Sequence, residues 1–287
     1  MNHDCAGHNN QTLDDALAEI KLEKTISDFT YKIIVLSGKG GVGKSTTAAN
    51  IAMSLALSGR SVGLLDIDFH GPSIPRLMGM ENKKAEARDG SLIPLSYGEK
   101  LKVMSLGLLL QDERQAVIWR GPMKMGAIKQ LLQDVEWGKL DYLIVDCPPG
   151  TGDEPLSIVQ LLKNPTGAVV VTQPQELSLA DVRRSISFCA QLNLPVLGVL
   201  ENMSGFICPH CGETVDIFKS GGGEKLAQAM QVPFLGKIPI DPTIVQAGDN
   251  GEPFIYFYAK TETAAIFNRI TAELQDRIEK QDDVKKV

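Results

Sequence analysis

The stretch "GKGGVGKST", residues 38–46, decides the fold class of this chain. It matches the pattern G-x-x-x-x-G-K-[ST], with Gly38, Gly43, Lys44 and Ser45 in register. The apolar run "KIIVLS" precedes it, and a helical pattern follows it. Glycine lets a chain curl so that successive N–H groups face phosphate oxygens, and a helix N-terminus favours the negative charge. The sequence therefore predicts a strand–loop–helix unit that binds the phosphates of a nucleotide.

The residue types in this loop predict individual roles. Lys44 is expected to reach the β- and γ-phosphates, and the Ser45 hydroxyl is expected to ligate Mg²⁺. The full set of predicted nucleotide contacts in the loop is Gly38, Lys39, Gly40, Gly41, Val42, Gly43, Lys44, Ser45 and Thr46.

Strand and helix patterns alternate on both sides of the loop. Short apolar runs at residues 31–38, 61–68, 141–148, 167–174 and 195–202 predict strands that are buried on both faces. Helical patterns are found at residues 45–58, 124–135, 179–191, 224–230 and 261–279. This alternation predicts an α/β fold of the P-loop NTPase type, with a doubly wound, mainly parallel sheet and helices on both faces.

Composition sets the domain count and the expected environment. The chain has 287 residues, 43% of them hydrophobic, and a formal net charge of −6. We expect a disordered leader over residues 1–11, a helix starting near Thr12, and one domain over residues 12–287. The acidic balance argues against nucleic-acid or anionic-membrane binding, and no apolar run approaches the ~18 residues that a membrane span needs. Five scattered cysteines favour a reduced, cytoplasmic setting over a disulfide framework.

Two strand ends carry acidic residues. "LLDID" ends in Asp66 and Asp68, and "YLIVD" ends in Asp146. Because parallel strands present their carboxyl ends at one edge, these side chains are expected beside the phosphate loop. Asp146 is predicted to belong to the Mg²⁺ shell, and Gly150 in the following "PPGTGD" is predicted to sense the γ-phosphate through its N–H. For Asp66 and Asp68, a role in capping the next turn remains an alternative.

Several longer stretches resemble the Mrp/ApbC family of iron–sulfur cluster carrier ATPases. They are "DIDFHGPSIPRLMG", "WRGPMKMGAIKQLLQDVEWGKLDYLIVDCPPGTGDEPLS", "CPHCGETVDIFKSGGGEKLA" and "VPFLGKIPIDP". The resemblance covers about residues 31–257. It implies a homodimeric ATPase that binds a [4Fe–4S] cluster and passes it to apo-proteins.

The resemblance also implies roles for residues outside the phosphate pattern. Lys39, the extra lysine of "GKGGVGK", resembles the lysine that reaches across a dimer to the partner's nucleotide in the wider family of partitioning and septum-site ATPases. Asp68 is implied to orient the attacking water, with Asp66 as a supporting acid, so the implied catalytic set is Lys39, Lys44, Asp68 and Asp66. The implied adenine-ring contacts are Asn202, Pro239 and Asp241.

"CPHCG" places Cys208 and Cys211 two residues apart, and no cysteine follows them. A thiolate metal site wants four ligands, so one chain supplies half a site. Three readings are open: a cluster bridging two chains on a two-fold axis, zinc at the same bridge, or a redox-active thiol pair. We favour the bridging cluster, because the Lys39 resemblance independently implies a dimer. Cys147 and Cys189 are expected to be buried core residues.

The N-terminus departs from part of the wider family. Eukaryotic cytosolic scaffold members carry a four-cysteine motif there, whereas this chain has only Cys5, flanked by His3 and His8. A second cluster is therefore not expected, and the three side chains are interpreted as a solvated tail. Two rival functions remain, namely a partitioning or positioning ATPase that binds DNA or membrane, and a zinc-stapled regulatory NTPase without cluster transfer.

Overall fold

A computed structural model describes residues 5–109, 121–208 and 210–285 of the chain. Its strands are β1 Phe29–Ser37, β2 Val62–Asp66, β3 Glu86–Arg88, β4 Ser91–Ile93, β5 Leu95–Tyr97, β6 Leu101–Ser105, β7 Leu140–Asp146, β8 Gly167–Thr172, β9 Val196–Glu201, β10 Phe206–Ile207, β11 Thr214–Val215 and β12 Phe234–Lys237. Its α-helices are α1 Cys5–Ser27, α2 Lys44–Leu57, α3 Ile74–Leu77, α4 Gly121–Gln133, α5 Asp153–Leu162, α6 Glu176–Gln191, α7 Gly222–Ala229, α8 Pro242–Asn250, α9 Phe254–Phe257 and α10 Glu262–Lys285.

Eight strands form one sheet in the order β12-β9-β8-β1-β7-β2-β6-β5. All neighbouring pairs are parallel except β5 and β6, which run antiparallel at one edge. β1 lies between β7 and β8, so the chain leaves the phosphate loop near the middle of the sheet. This arrangement confirms the predicted doubly wound, mainly parallel sheet.

Both faces of the sheet are buried, which explains the continuous apolar runs. In β1, Ile33 and Val35 pack into a cluster with residues of α2 and α10, whereas Ile34 and Leu36 pack into a second cluster with residues of α4 and α5. Alternate residues of a strand point to opposite faces, so each face needs its own apolar set. Helices therefore cover the sheet on both sides, as predicted.

The structure confirms the predicted strands and helices and adds others. The five apolar runs correspond to β1, β2, β7, β8 and β9, and the five helical patterns correspond to α2, α4, α6, α7 and α10. The sequence analysis did not separate out β6, a short buried strand, or α5, which follows the "PPGTGD" segment. These additions extend the sheet and place a helix directly after the predicted γ-phosphate sensor.

The N-terminal helix begins earlier than predicted. α1 starts at Cys5 rather than near Thr12, so residues 5–11 of the expected leader are helical. The correction has a physical basis, because no proline interrupts this stretch and a helix that has nucleated propagates easily. Residues 1–4 lie outside the described part of the chain. The division into a leader and a single domain over residues 12–287 stays a prediction.

Candidate functional site

The phosphate loop connects β1 to α2, and three of its carbonyl groups accept hydrogen bonds from side chains. The Ser37 hydroxyl donates to the Lys39 carbonyl at 3.0 Å, Gln173 Nε2 donates to the Gly41 carbonyl at 3.3 Å, and Asn202 Nδ2 donates to the Val42 carbonyl at 2.9 Å. In a trans peptide the N–H points opposite to the C=O. The N–H groups of these three peptide units therefore point away from the donors, as a phosphate cradle requires.

Two glycines of the loop are required by close packing. Gly43 precedes α2 in a left-handed conformation with φ 81°, and a side chain there would collide with Asn202. A side chain on Gly38 would collide with the backbone of Asp181 in α6. Gly38 thus serves the packing of α6 against the loop, a reason that the motif alone does not reveal.

Lys44 and Asp146 form a buried ion pair beside the loop. Lys44 Nζ lies 2.6 Å from Asp146 Oδ1, and the two side chains are 7% and 0% exposed. Burial alone lowers the pKa of Lys44, but the Asp146 carboxylate outweighs it and raises that pKa above its ordinary value. The other oxygen, Asp146 Oδ2, is buried without a hydrogen-bond partner among the described residues. An unpaired buried carboxylate oxygen is a fitting ligand for a hard cation such as Mg²⁺.

Asp66 lies directly opposite Asp146 on the neighbouring strand. Its oxygens accept hydrogen bonds from the Asp68 N–H at 3.0 Å, the Ser105 hydroxyl at 3.1 Å and the Ile74 N–H at 3.3 Å. Burial and then the adjacent Asp146 charge raise the pKa of Asp66 to about 8. Asp66 therefore holds the turn that carries Asp68, which fits both the supporting role and the turn-capping alternative.

Asp68 and Gly150 lie on the loops after β2 and β7. Asp68 Oδ1 accepts from the N–H groups of His70 at 3.1 Å and Gly71 at 3.2 Å, so one of its oxygens caps this loop. The Gly150 N–H donates to the Ser37 carbonyl at 2.8 Å. Since that N–H already has an acceptor, the predicted sensing of a γ-phosphate requires this hydrogen bond to break.

A cavity of about 390 Å³ opens next to the phosphate loop. Its lining includes Gly43 and Thr46 on one side and the three implied adenine contacts, Asn202, Pro239 and Asp241, on the other. Asp241 also caps α8, accepting from the Thr243 N–H at 2.9 Å. Burial raises the pKa of Asp241, but hydrogen bonds from Thr243 and Thr263 outweigh it and leave that pKa below its ordinary value. The three residues implied as adenine contacts therefore line one cavity beside the phosphate loop.

The cysteine pair lies at the tip of a short hairpin formed by β10 and β11. The Cys208 N–H donates to the Glu213 carbonyl at 2.9 Å, and the Gly212 N–H donates to the Cys208 carbonyl at 2.9 Å, which closes the turn. Cys208 is half-buried and Cys211 is exposed. Hydrogen bonds from Cys211 and His210 lower the pKa of the Cys208 thiol. We call residues 205–208 and 210–219, which include both cysteines, the cysteine hairpin.

The described residues of the cysteine hairpin do not by themselves form a metal site. Within the described ranges, no three His, Cys, Asp or Glu side chains converge on a common metal position. Four exposed apolar side chains lie on the same hairpin, namely Ile207, Val215, Ile217 and Phe218. Such a patch favours a contact with another protein surface.

The other cysteines are accounted for as expected. Cys147 and Cys189 are fully buried in the core, and burial raises the pKa of both thiols. The side chains of His3, Cys5 and His8 lie outside the part of the chain that the structure describes. Across the described helices, none is long and apolar enough to cross a membrane.

Lys39 and Lys124 differ in their surroundings. In the described part of the chain the Lys39 side chain makes no hydrogen bond or ion pair, so its ammonium is free to reach another molecule. Lys124 of α4, which the sequence analysis did not single out, lies 2.5 Å from Glu154 and 3.3 Å from His70 Nε2. It therefore links α5 to the loop that carries Asp68. No local pattern marks it, because its partners come from distant parts of the chain.

Comparison with protein families matches residues 28–275 to the family described as ParA: NUBPL iron-transfer P-loop NTPase. A protein named iron-sulfur cluster carrier protein, from Methanocaldococcus jannaschii, is 46% identical over 264 residues, which cover 92% of this chain and 90% of the relative. A protein named cytosolic Fe-S cluster assembly factor CFD1, from Kluyveromyces lactis, is 49% identical over 259 residues, which cover 87% of this chain and 92% of the relative.

Solved structures give the same picture of the fold. A nucleotide-binding protein from Archaeoglobus fulgidus, described in complex with ADP and with cobalt found, matches with a TM-score of 0.73 and 41% identity, over 83% of this chain and 93% of that one. The cell division ATPase MinD from Pyrococcus furiosus matches with a TM-score of 0.64 and 22% identity, over 86% of this chain and 99% of that one. The second likeness concerns the fold alone.

Proposed function

Since this chain belongs to the family of NUBPL iron-transfer P-loop NTPases, we propose that it is an ATP-hydrolysing carrier of iron–sulfur clusters. A [4Fe–4S] cluster, its cargo, is assembled between two copies of the chain and passed to apo-proteins. Relatives named as cluster carriers and assembly factors support this proposal. The names of the cytosolic relatives also support a cytosolic setting.

The observation that carries the proposal is the exposed half-site at the tip of the cysteine hairpin. Two thiols, Cys208 and Cys211, reach the surface, and the lowered pKa of Cys208 favours the thiolate that binds metal. A two-fold axis through the motif brings together four thiolates, the number that a [4Fe–4S] cluster takes. The apolar side chains around the hairpin would then form the core of the contact between the two copies.

The nucleotide site is assigned as ATP with Mg²⁺. The loop N–H groups and Lys44 bind the phosphates, while Ser45 and the unpaired Asp146 Oδ2 hold the cation. When bound, Mg²⁺ supplies charge neutralisation for the phosphates. Lys39 reaches the nucleotide of the partner copy, which makes hydrolysis depend on the dimer.

Hydrolysis is a transfer of the terminal phosphoryl group to water. Asp68 orients the water and takes its proton, the water oxygen forms a bond to the γ-phosphorus, and the bond from that phosphorus to the β–γ bridging oxygen breaks. The products are ADP and inorganic phosphate. Lys39 and Lys44 stabilise the negative charge that develops on the phosphate oxygens.

The remaining assignments concern the base and the switch. Asn202, Pro239 and Asp241 hold the adenine ring in the cavity beside the loop. Gly150 exchanges its hydrogen bond to Ser37 for one to the γ-phosphate when ATP is bound. We propose no nucleic-acid or membrane partner, because the chain is acidic overall.

Reconstitution tests the proposed function. The purified protein is treated anaerobically with iron and sulfide, the visible absorbance of the thiolate-held cluster is followed, and transfer to an apo-enzyme is assayed. Cys208→Ala/Cys211→Ala is expected to lose uptake and transfer, whereas the buried-cysteine control Cys189→Ala retains both. Equal uptake and transfer by the double variant would contradict the proposal. Tightly bound zinc without transfer would support a zinc-stapled NTPase instead.

A further inference from the structure

Glu201, the last residue of β9, holds both ends of the cysteine hairpin. Its buried carboxylate accepts from the Ser204 hydroxyl at 2.5 Å, just before the hairpin. It also accepts from the N–H groups of Gly221, at 2.8 Å, and of Gly223, just after the hairpin. The segments directly before and directly after the hairpin are therefore both hydrogen-bonded to the Glu201 carboxylate.

The next residue, Asn202, is hydrogen-bonded to the phosphate loop. Asn202 Nδ2 donates to the Val42 carbonyl at 2.9 Å and packs against Gly43. Two consecutive residues at the end of one strand thus contact the two functional regions. A shift of the phosphate loop that moves Asn202 also moves the backbone that carries Glu201.

The segment after β12 makes a second contact with the same hairpin. The Ile238 carbonyl accepts from the Ser204 N–H at 2.9 Å, and the Ile240 N–H donates to the Gly205 carbonyl at 2.7 Å. Pro239, between them, lines the cavity assigned to the base. The hairpin is thus anchored next to both the phosphates and the base.

We propose that Glu201 is the positioning residue that couples nucleotide binding to the metal affinity of Cys208 and Cys211. The inference rests on the proposed function, since it concerns the same two sites. A nucleotide orders the phosphate loop, the order is passed through Asn202 and Glu201, and the hairpin is held in one geometry. Ordering a site before its ligand arrives strengthens binding, so nucleotide raises metal affinity. Coupling is reciprocal, so metal raises nucleotide affinity by the same factor.

The chemistry of the contact explains why a carboxylate is needed. An ionised carboxylate is an acceptor at both oxygens, and here it meets two N–H groups and one hydroxyl. A glutamine would turn an NH₂ group towards one of these donors. Because Gly222 and Gly223 have no side chains, the backbone there can approach Glu201 closely. Side chains at these two positions would meet the Pro174 carbonyl and the Glu201 carboxylate.

The test compares metal affinity with and without nucleotide. Co²⁺ is titrated into the full chain, with binding read from the thiolate-to-cobalt absorbance, in the presence and absence of a non-hydrolysable ATP analogue with Mg²⁺. We expect the analogue to raise the Co²⁺ affinity of the wild type by at least about fivefold. In Glu201→Gln, Co²⁺ and the analogue still bind, but the ratio falls to within about twofold of one.

Glu224→Gln is the matched control. Glu224 lies in the first turn of α7, pairs with Lys237 and is half exposed, so the same chemical change there leaves the ratio at its wild-type value. The reverse titration, analogue binding with and without Co²⁺, must give the same factor. An unchanged ratio in Glu201→Gln, or no nucleotide effect in the wild type, overturns the inference.

Two further measurements keep the outcomes distinct. If Glu201→Gln does not fold, hydrogen exchange of the wild type decides: the analogue should slow exchange at the Gly221 and Gly223 amides, and unchanged exchange overturns the coupling. Cys208→Ala/Cys211→Ala should lose the Co²⁺ absorbance. If it keeps that absorbance, the proposed metal site itself fails, whatever the behaviour of Glu201.

Discussion

Asp66 and Asp146 end neighbouring parallel strands in direct register, and both carboxyl groups are fully buried. Lys44 pairs with Asp146 at 2.6 Å. Burial, together with the nearby Asp146 charge, raises the pKa of Asp66 to about 8. Asp66, whose raised pKa favours the neutral form, thus lies beside Asp146, which is ion-paired with Lys44.

The raised pKa of Asp66 predicts a pH dependence of stability. Between its ordinary value of 3.8 and about 8, the folded protein holds a proton that the unfolded chain releases. The stability that this proton contributes is fully present below the pKa of Asp66 in the unfolded chain. It is lost as the pH rises through the pKa of Asp66 in the folded protein. The free energy of unfolding should therefore fall by up to about 1.4 kcal/mol per pH unit from this group.

Asp66→Asn isolates that contribution, because the amide imitates the neutral acid. Denaturant unfolding from about pH 5 to about pH 8 should show a flatter decline in the variant than in the wild type. Parallel profiles for the two proteins would show that Asp66 titrates as an ordinary carboxylate in the fold.

Asp146→Asn should uncouple nucleotide affinity from Mg²⁺. The substitution removes the charge from the position of the unpaired Oδ2 atom, which is the predicted cation ligand. Calorimetric titration with ADP should show that the benefit of Mg²⁺ drops by about 10- to 100-fold. Ser45→Ala should weaken the same benefit. An undiminished Mg²⁺ effect in Asp146→Asn would remove this residue from the cation shell.

Asp68→Asn separates catalysis from loop structure. Asparagine keeps an oxygen that can accept from the His70 and Gly71 N–H groups, so the loop is retained, but it cannot take a proton from water. We expect nearly unchanged ATP affinity and a loss of turnover of about 10²- to 10⁴-fold in a phosphate-release assay. Wild-type turnover would leave Asp68 with a capping role only.

Lys39 should act in trans, and mixed dimers can reveal it. Lys39→Ala and Asp68→Asn are each expected to be inactive alone. In a mixed dimer, the Lys39→Ala chain keeps its own Asp68 and receives Lys39 from its partner, so one site is complete. An equal mixture should recover about a quarter of wild-type turnover.

The matched negative control mixes Asp68→Asn with Lys44→Ala. Both residues act within their own chain, so neither site of that mixed dimer is complete and turnover should stay low. If the mixture of Lys39→Ala and Asp68→Asn also fails to recover turnover, Lys39 acts in the site of its own chain.

Local patterns were sufficient to predict the fold and the phosphate loop. The glycine spacing, the preceding apolar run and the following helical pattern all lie within about one strand and one helix of sequence. Asp66 and Asp146 were found because a polar residue that ends an apolar run lies at the carboxyl edge of a parallel sheet. The base contacts came from resemblance and stay a prediction, and the three residues line one cavity beside Gly43.

Contacts between distant segments could not be predicted in this way. Gln173 directly follows β8 and Glu201 ends β9, so the strand-end rule could have marked both. Their partners were not predictable, because Gln173 contacts Gly41, 132 residues away, and Glu201 contacts Gly221, 20 residues away. The hydrogen bond from Gly150 to Ser37 depends on how two loops meet. Lys124 lies within a helix and has no distinguishing pattern. Such contacts follow from tertiary packing, which a single sequence does not encode locally.

The stoichiometry of the reconstituted protein tests the central claim most directly. Native mass spectrometry under anaerobic conditions measures how many chains and how many clusters share one particle. We predict two chains with one [4Fe–4S] cluster, and loss of that species in Cys208→Ala/Cys211→Ala. One cluster on a single chain, or a two-chain particle that holds zinc and takes up no cluster, would contradict the account.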